Sequence, residues 1–285
     1  MSPSAARLAS LALRALPRKR LSRAMGRVAE LGGPHVAVER AIATFVRAYG
    51  VDLSEARVPP GGFSSFDAFF TRRLQEGARP LDPDPAAVLS PADGRLEDLG
   101  AVREGGEILV KGKPYAVAEL LGDEALVGRF EGGSYFIVYL SPRDYHRVHA
   151  PVSGVVEQVG YVAGTLFPVN AIGTEHIPGL FARNERIVTL QRSARHGQVA
   201  TVMVGAIGVG RIELSFDSVR TNVGDVPGPR HLGERGPVLA RGDELGAFHL
   251  GSTAIVFLPS GYDLHFEVPP GAPVRVGQAI ARGSL

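Results

Sequence analysis

The sequence predicts a mainly β fold: a barrel- or sandwich-like β domain over residues 81–285, preceded by an N-terminal amphipathic helical segment over residues 1–80. Three observations carry this. Short apolar runs separated by turn residues recur through the later part of the chain, as short antiparallel strands require. Gly 36 and Pro 21 in 285 residues are high for a helical protein and suit strands joined by turns. Helical periodicity is confined to roughly the first 80 residues.

Bulk properties bound the rest. A hydrophobic content of 45% over 285 residues is ample for a sizeable core. The absence of cysteine removes disulfides, thiolate metal sites and cysteine nucleophiles. A net charge of +2 gives no electrostatic reason to expect a nucleic-acid partner.

At the N-terminus, Arg7, Arg14, Arg18, Lys19, Arg20, Arg23 and Arg27 all precede the first acid, Glu30. Leu8, Leu11, Leu13 and Leu16 come before Pro17, and Leu21, Met25 and Val28 follow it at helical spacing. No run approaches the ~20 apolar residues that span a bilayer. A basic segment of this kind is expected to lie on an anionic membrane surface. A transit or export signal and a basic tail are the plain alternatives. A secretory signal needs an unbroken apolar stretch, which Arg14 and Pro17-Arg18-Lys19-Arg20 interrupt.

Val38, Ile42, Phe45 and Tyr49 mark a second amphipathic helix, with Gly50 as its stop. A third is expected over 66–74, capped by Ser64 or Ser65 and ended by Ala78-Arg79-Pro80. Strands are then expected at 108–110, 135–140, 187–190, 199–204, 254–258 and 264–268. The run from Gly205 to Gly210 lies between strands and has the wrong spacing for a dinucleotide fingerprint, so its glycines read as sites of close approach. Residues 217–243, rich in Gly, Pro and charge, read as a long surface excursion. The tail 271–280 has the strand–turn–strand form of lipoyl-type, barrel-sandwich-hybrid domains, though no lysine stands in a swinging-arm position.

Three segments carry chemistry. Leu250-Gly251-Ser252-Thr253 stands before the apolar run 254–258. An ordinary strand needs no glycine and two hydroxyls at its entrance, whereas a chain that cuts its own backbone needs an unhindered carbonyl followed by an attacking oxygen. Ser141-Pro142-Arg143-Asp144 has the composition of a helix start, and one or two turns there would set His146 and His149 on one face. Two adjacent histidines point to acid–base work or to a metal. His249 and His265 are the candidate further ligands, but no spacing recommends them, so no metal is expected. Asp93-Gly94 by itself marks a hairpin turn. With Ser252 and the histidines it completes an acid, a base and a nucleophile in the order Asp, His, Ser. No Gly-x-Ser-x-Gly elbow surrounds Ser252.

In combination these segments resemble the phosphatidylserine decarboxylases, in particular the proenzyme of the bacterial membrane-associated type. The resemblance rests on Phe69-Phe70-Thr71-Arg72-Arg73-Leu74, Pro91-Ala92-Asp93-Gly94, Tyr145-His146-Arg147-Val148-His149-Ala150-Pro151, 164–170, 180–186 and Leu250-Gly251-Ser252-Thr253. It implies a self-cleaving chain that splits between Gly251 and Ser252 into a β chain, 1–251, and an α chain, 252–285. His149, oriented by Asp93, would take the proton of Ser252, whose residue becomes a covalent pyruvoyl group. That ketone is an electron sink for decarboxylating phosphatidylserine to phosphatidylethanolamine, with His146 as the acid that reprotonates carbon. Phe167 and Asn170 are candidate substrate contacts by motif position. The resemblance also implies a peripheral enzyme on the cytoplasmic face of the bacterial cell membrane. Its β and α chains would form a heterodimer, with a dimer of heterodimers left open. A serine hydrolase using Asp93, His149 and Ser252 without self-cleavage is the main alternative. A non-enzymatic membrane-binding domain, and a decarboxylase of a related serine-headgroup lipid, are the others.

Overall fold

The computed structural model describes residues 18–284 except 170, 208–210, 223–227, 250 and 262. Helices open the chain: α1 (Arg18–Glu30), α2 (His35–Tyr49) and the single turn α3 (Phe66–Phe70). Gly50 closes α2 in the left-handed conformation, and Ser65 caps α3 by accepting a hydrogen bond from the Ala68 N–H at 3.0 Å. Val38 and Ile42 of α2 bury against Phe63, Phe69 and Phe70 in a small core of their own.

Seventeen strands follow among the described residues. The first six are β1 (Ala87–Leu89), β2 (Gly94–Ala101), β3 (Glu107–Val110), β4 (Lys113–Ala116), β5 (Ser134–Leu140) and β6 (Arg147–His149). Then come β7 (Gly154–Val162), β8 (Arg186–Ser193), β9 (Gly197–Val204), β10 (Arg211–Leu214), β11 (Arg230–His231) and β12 (Val238–Leu239). The last five are β13 (Glu244–His249), β14 (Ser252–Leu258), β15 (Asp263–Phe266), β16 (Pro273–Val274) and β17 (Ala279–Ser284). The main sheet runs β11-β7-β8-β9-β14-β5-β2-β16, with β12 also on β7. Smaller sheets are β1-β17-β15, β10-β13-β6 and β3-β4.

The fold is therefore mainly β, as expected, but its sheets are open and no barrel closes among the described residues. Strand β14 is central, antiparallel to β5 on one side and β9 on the other, and every residue in it is buried. Burial on both faces explains why its residues 254–258 are continuously apolar rather than alternating.

Four expectations change. The helix expected over 66–74 stops at Phe70, where Thr71 caps it, and Leu74 instead bridges to Ala56. The first 80 residues are thus not helical throughout: 51–65 and 71–80 are turns and extended chain. The Ser141 cap forms, since the Asp144 carboxylate accepts from both the Ser141 N–H and its hydroxyl at 2.7 Å, but it closes only a turn. Residues 147–149 then pair with β13, because sheet pairing outweighs the local helix signal. Finally, 217–243 is not a free excursion, since β11 and β12 lie within it and both pair with β7. The basic, leucine-rich stretch 1–17 falls outside the described residues.

Candidate active site at the entrance of strand β14

Gly251 has φ +39°, a conformation that side-chain-bearing residues rarely adopt, although a methyl group there would meet nothing within 4 Å. The backbone angle, not crowding, calls for glycine at this position. The next residue, Ser252, begins β14 opposite Leu140 of β5 and is fully buried. Its Oγ has no hydrogen-bond partner, and neither does the neighbouring Thr253 hydroxyl. An unpartnered buried hydroxyl is costly, and such groups concentrate where chemistry is done.

His146 is also fully buried. Its Nδ1 lies 2.8 Å from the Asp144 carbonyl and its ring packs on Phe70 at 4.1 Å between centroids. A carbonyl only accepts, so Nδ1 carries the proton and Nε2 holds a lone pair, which has no partner. Burial drives the His146 pKa down to about 3, leaving the ring neutral. His149 follows the same logic. Its Nδ1 donates to the Gly242 carbonyl at 2.7 Å, and Nε2 receives the Tyr145 hydroxyl at 3.1 Å. Burial lowers its pKa as well, against the raising effects of the Gly242 carbonyl and of Glu244 and Asp93. Both imidazoles thus keep their lone pair on Nε2. They do not share a helix face, because no helix forms there: His146 follows a turn and His149 lies in β6.

Asp93 is brought beside His149 by the backbone: the His149 N–H donates to Pro91 O at 2.7 Å. Its carboxylate, however, accepts from Arg79 Nε at 2.9 and 3.0 Å and from the Val276 N–H at 2.9 Å, with no hydrogen bond to His149. Asp93 acts on His149 through space, and the Gly242 carbonyl orients the ring. Gly94 is the first residue of β2 rather than a hairpin corner, and an added Cβ would stand 2.2 Å from Tyr139 O. Close strand packing explains that glycine. Phe248 N–H donates to His146 O at 2.9 Å, and Ser252 pairs with Leu140, the residue before the Ser141 turn.

A cavity of about 610 Å³ opens beside Asp93. Arg72, Arg79, Tyr139, Asp144 and Tyr145 line it. Phe167 stands apart, fully buried in the main core with Arg183 over its ring at 4.8 Å, and Asn170 lies outside the described residues. The two motifs around them are tied together by Asn184. Its side chain accepts from Phe167 N–H and donates to Phe167 O and Gly205 O at 2.8–2.9 Å.

Several contributors were invisible in the sequence. Arg72 donates to the carbonyls of Arg143 and Asp144 at 3.1 and 3.3 Å, so the Phe-Phe-x-Arg segment braces the very turn that holds His146. Tyr145 and Gly242 set His149. His249, weighed only as a metal ligand, sits between Asp67 at 2.7 Å and Glu213 at 3.3 Å. His265 lies on β15, opposite Arg282 of β17. None of these pairings has a spacing signal, because each partner comes from a distant element.

Comparison with known proteins gives consistent matches. A family profile described as phosphatidylserine decarboxylase matches residues 66–282. A phosphatidylserine decarboxylase proenzyme of Pseudomonas fluorescens is 46% identical over 250 residues, covering 84% of this chain and 85% of that protein. Proenzymes of the same name from Azotobacter vinelandii and Bordetella avium are 42% and 43% identical. The first covers 98% of this chain and 99% of the relative, the second 93% and 91%.

Proposed function

The chain belongs to the phosphatidylserine decarboxylase family, and from that premise we propose that it severs itself between Gly251 and Ser252 and then decarboxylates phosphatidylserine to phosphatidylethanolamine. The observation that carries this reading is Ser252 Oγ, buried without a partner at the entrance of the central strand and directly after a glycine held at φ +39°.

The self-cleavage chemistry balances with groups on the chain. Neutral His149 accepts the Ser252 proton at Nε2, once Tyr145 yields that lone pair. Oγ attacks the Gly251 carbonyl carbon, the C–N bond breaks, and the nitrogen of residue 252 leaves as an amine, giving an ester. Loss of the Cα proton then expels the Gly251 carboxylate and leaves dehydroalanine. Addition of water and loss of ammonia give a pyruvoyl group at the new N-terminus of the α chain. The residues present fit this group, since the position that would bear it is already desolvated and free of competing hydrogen bonds.

When formed, the pyruvoyl ketone supplies the electron sink that lets carbon dioxide leave. His146 supplies the proton traffic. It starts neutral, with an unpartnered lone pair on Nε2 and its ring packed on Phe70. We assign to its unpartnered Nε2 the delivery of the proton to the carbon that lost carbon dioxide.

A serine hydrolase fits less well. The family profile and the matching relatives are phosphatidylserine decarboxylases, and those relatives are named proenzymes, as a self-cleaving chain would be and a serine hydrolase with its chain intact would not. We further place the enzyme on the cytoplasmic face of the bacterial cell membrane as a peripheral protein. No helix among the described residues is long and apolar enough to cross a bilayer. Helix α1 supports surface binding instead. Its small residues Ser22, Gly26 and Ala29 face inward, while Leu21, Met25 and Val28 face outward among Arg20, Arg23 and Arg27. Val28 is 68% and Leu31 66% exposed. A helix that buries its small side chains and exposes its large apolar ones is built to enter a lipid interface. The C-terminal strands β16 and β17 we read as anchoring the α chain through β2 and β1.

The test is intact mass under denaturing conditions. Wild type should give two fragments, the smaller reacting with a carbonyl reagent, and Ser252→Ala a single inactive chain of 30.2 kDa. A fully active, unbroken wild type would end this reading.

A further inference from the structure

We propose that His249 is a positioning residue for self-cleavage: as an imidazolium clamped between Asp67 of α3 and Glu213 of β10, it fixes the end of β13 from which Gly251 and Ser252 hang. The proposal rests on the self-cleavage reading above.

The geometry asks for the doubly protonated ring. Nδ1 lies 2.7 Å from Asp67 Oδ1 and Nε2 lies 3.3 Å from Glu213 Oε2. Ionised carboxylates only accept, so both contacts are made only when both nitrogens carry protons. The residue is 7% exposed, so water cannot readily replace either contact. Burial disfavours the charge, but the bonds to Asp67 and Glu213 outweigh it and leave the His249 pKa above its ordinary value. The other charged groups packed here are accounted for. Arg211 and Arg220 share Glu213 at 2.5 and 3.2 Å, and Arg211 also pairs with Glu30 of α1. On the far side of the same small cavity, Glu244 of β13 is paired by Arg147 and by Arg73.

The position gives the clamp its consequence. His249 ends β13 opposite Arg211, and the scissile bond lies two residues further on. Asp67 belongs to the same helical turn as Phe70, which forms the wall of His146. One charged ring therefore ties the helical region, the β10-β13-β6 sheet and the cleavage segment together. Chemistry that depends on a near-attack geometry is sensitive to misplacement on the order of 1 Å. The two histidines then set opposite limits. Cleavage needs His149 neutral and His249 charged, so the rate should fall on the acid side through His149 and on the alkaline side through His249.

The experiment follows cleavage of the full chain, made by cell-free translation and shifted to buffers between about pH 6 and about pH 10. Intact chain and fragments are separated on a denaturing gel. Wild type should lose rate on the alkaline side. His249→Gln should cleave roughly 10- to 100-fold more slowly near neutrality, and its alkaline limb should vanish. Asp67→Asn keeps an acceptor for Nδ1 but removes the charge. Its limb should move to lower pH with a smaller loss of rate, and this milder variant decides the matter should His249→Gln fold poorly. A wild type that cleaves, with the same alkaline limb in both variants, overturns the proposal alone. A wild type that never cleaves overturns the self-cleavage reading and the proposal with it.

Discussion

His146 and His149 stand three positions apart and reach the same protonation state by the same means. Each gives its Nδ1 proton to a backbone carbonyl and keeps a lone pair on Nε2, and burial holds each ring neutral. What differs is the partner of Nε2: the Tyr145 hydroxyl for His149 and nothing for His146. We propose that the two divide the labour, His149 serving self-cleavage and His146 decarboxylation. His149→Ala should remain a single uncleaved chain, because the base is gone. His146→Ala should split normally yet release no carbon dioxide from phosphatidylserine, read by gel and by product assay. A His146→Ala chain that fails to split would reassign the two roles. The buried neutral His146 also makes stability depend on pH. Its folded pKa of about 3 lies below the ordinary 6.5, so the unfolded chain binds the extra proton first. Stability should be intact above pH 6.5 and decline as pH falls from 6.5 towards 3. Urea midpoints of the uncleaved Ser252→Ala chain should fall through that window, and less steeply when His146 is also changed to Gln.

Strand β14 shows what an element contributes that its residues do not. Ile255 stands between Ile137 of β5 and Val202 of β9 and is fully buried. Ile255→Ala in the uncleaved Ser252→Ala chain should cost about 2–5 kcal/mol, measured by urea unfolding. The strand was legible from its apolar run alone, as were β5, β8 and β9, because strands buried on both faces write a continuous signal. Helix α2 was equally plain from the spacing of Val38 and Ile42. The 141–150 segment misled for a definite reason. Its Ser141–Asp144 cap is real, but the residues after it pair with β13, nearly 100 positions away. A local pattern carries no trace of a partner that distant. The same holds for 217–243, whose composition reads as loop while β11 and β12 complete the edge of the main sheet.

At the scale of the molecule, the proposed cut falls at a strand entrance and leaves the strands themselves paired. Residues 252–284 remain bound through β14 to β5 and β9, through β16 to β2 and through β17 to β1. The ion pairs of Arg282 with Asp82 and Asp84 are partly exposed and add little. The two chains should therefore co-elute under native conditions even in about 1 M salt, where screening removes surface pairs, and part only in denaturant. Separation by salt alone would show that charge, not strand pairing, holds them. For the outer face of α1 and the residue that follows it, Val28→Glu with Leu31→Glu should weaken sedimentation with anionic vesicles while leaving self-cleavage unchanged. The sequence alone determined the mainly β character, the family and the motifs that hold the Asp, His and Ser candidates, because these depend on composition and on short contiguous patterns. Only the tertiary structure decided that Asp93 is held by Arg79, that Gly242 and Tyr145 set His149, that Arg72 braces the His146 turn, and that His249 is clamped by Asp67 and Glu213. Each of those is a contact between side chains or carbonyls from separate elements, and hydrogen bonds and burial are made in space, where separation along the chain has no meaning.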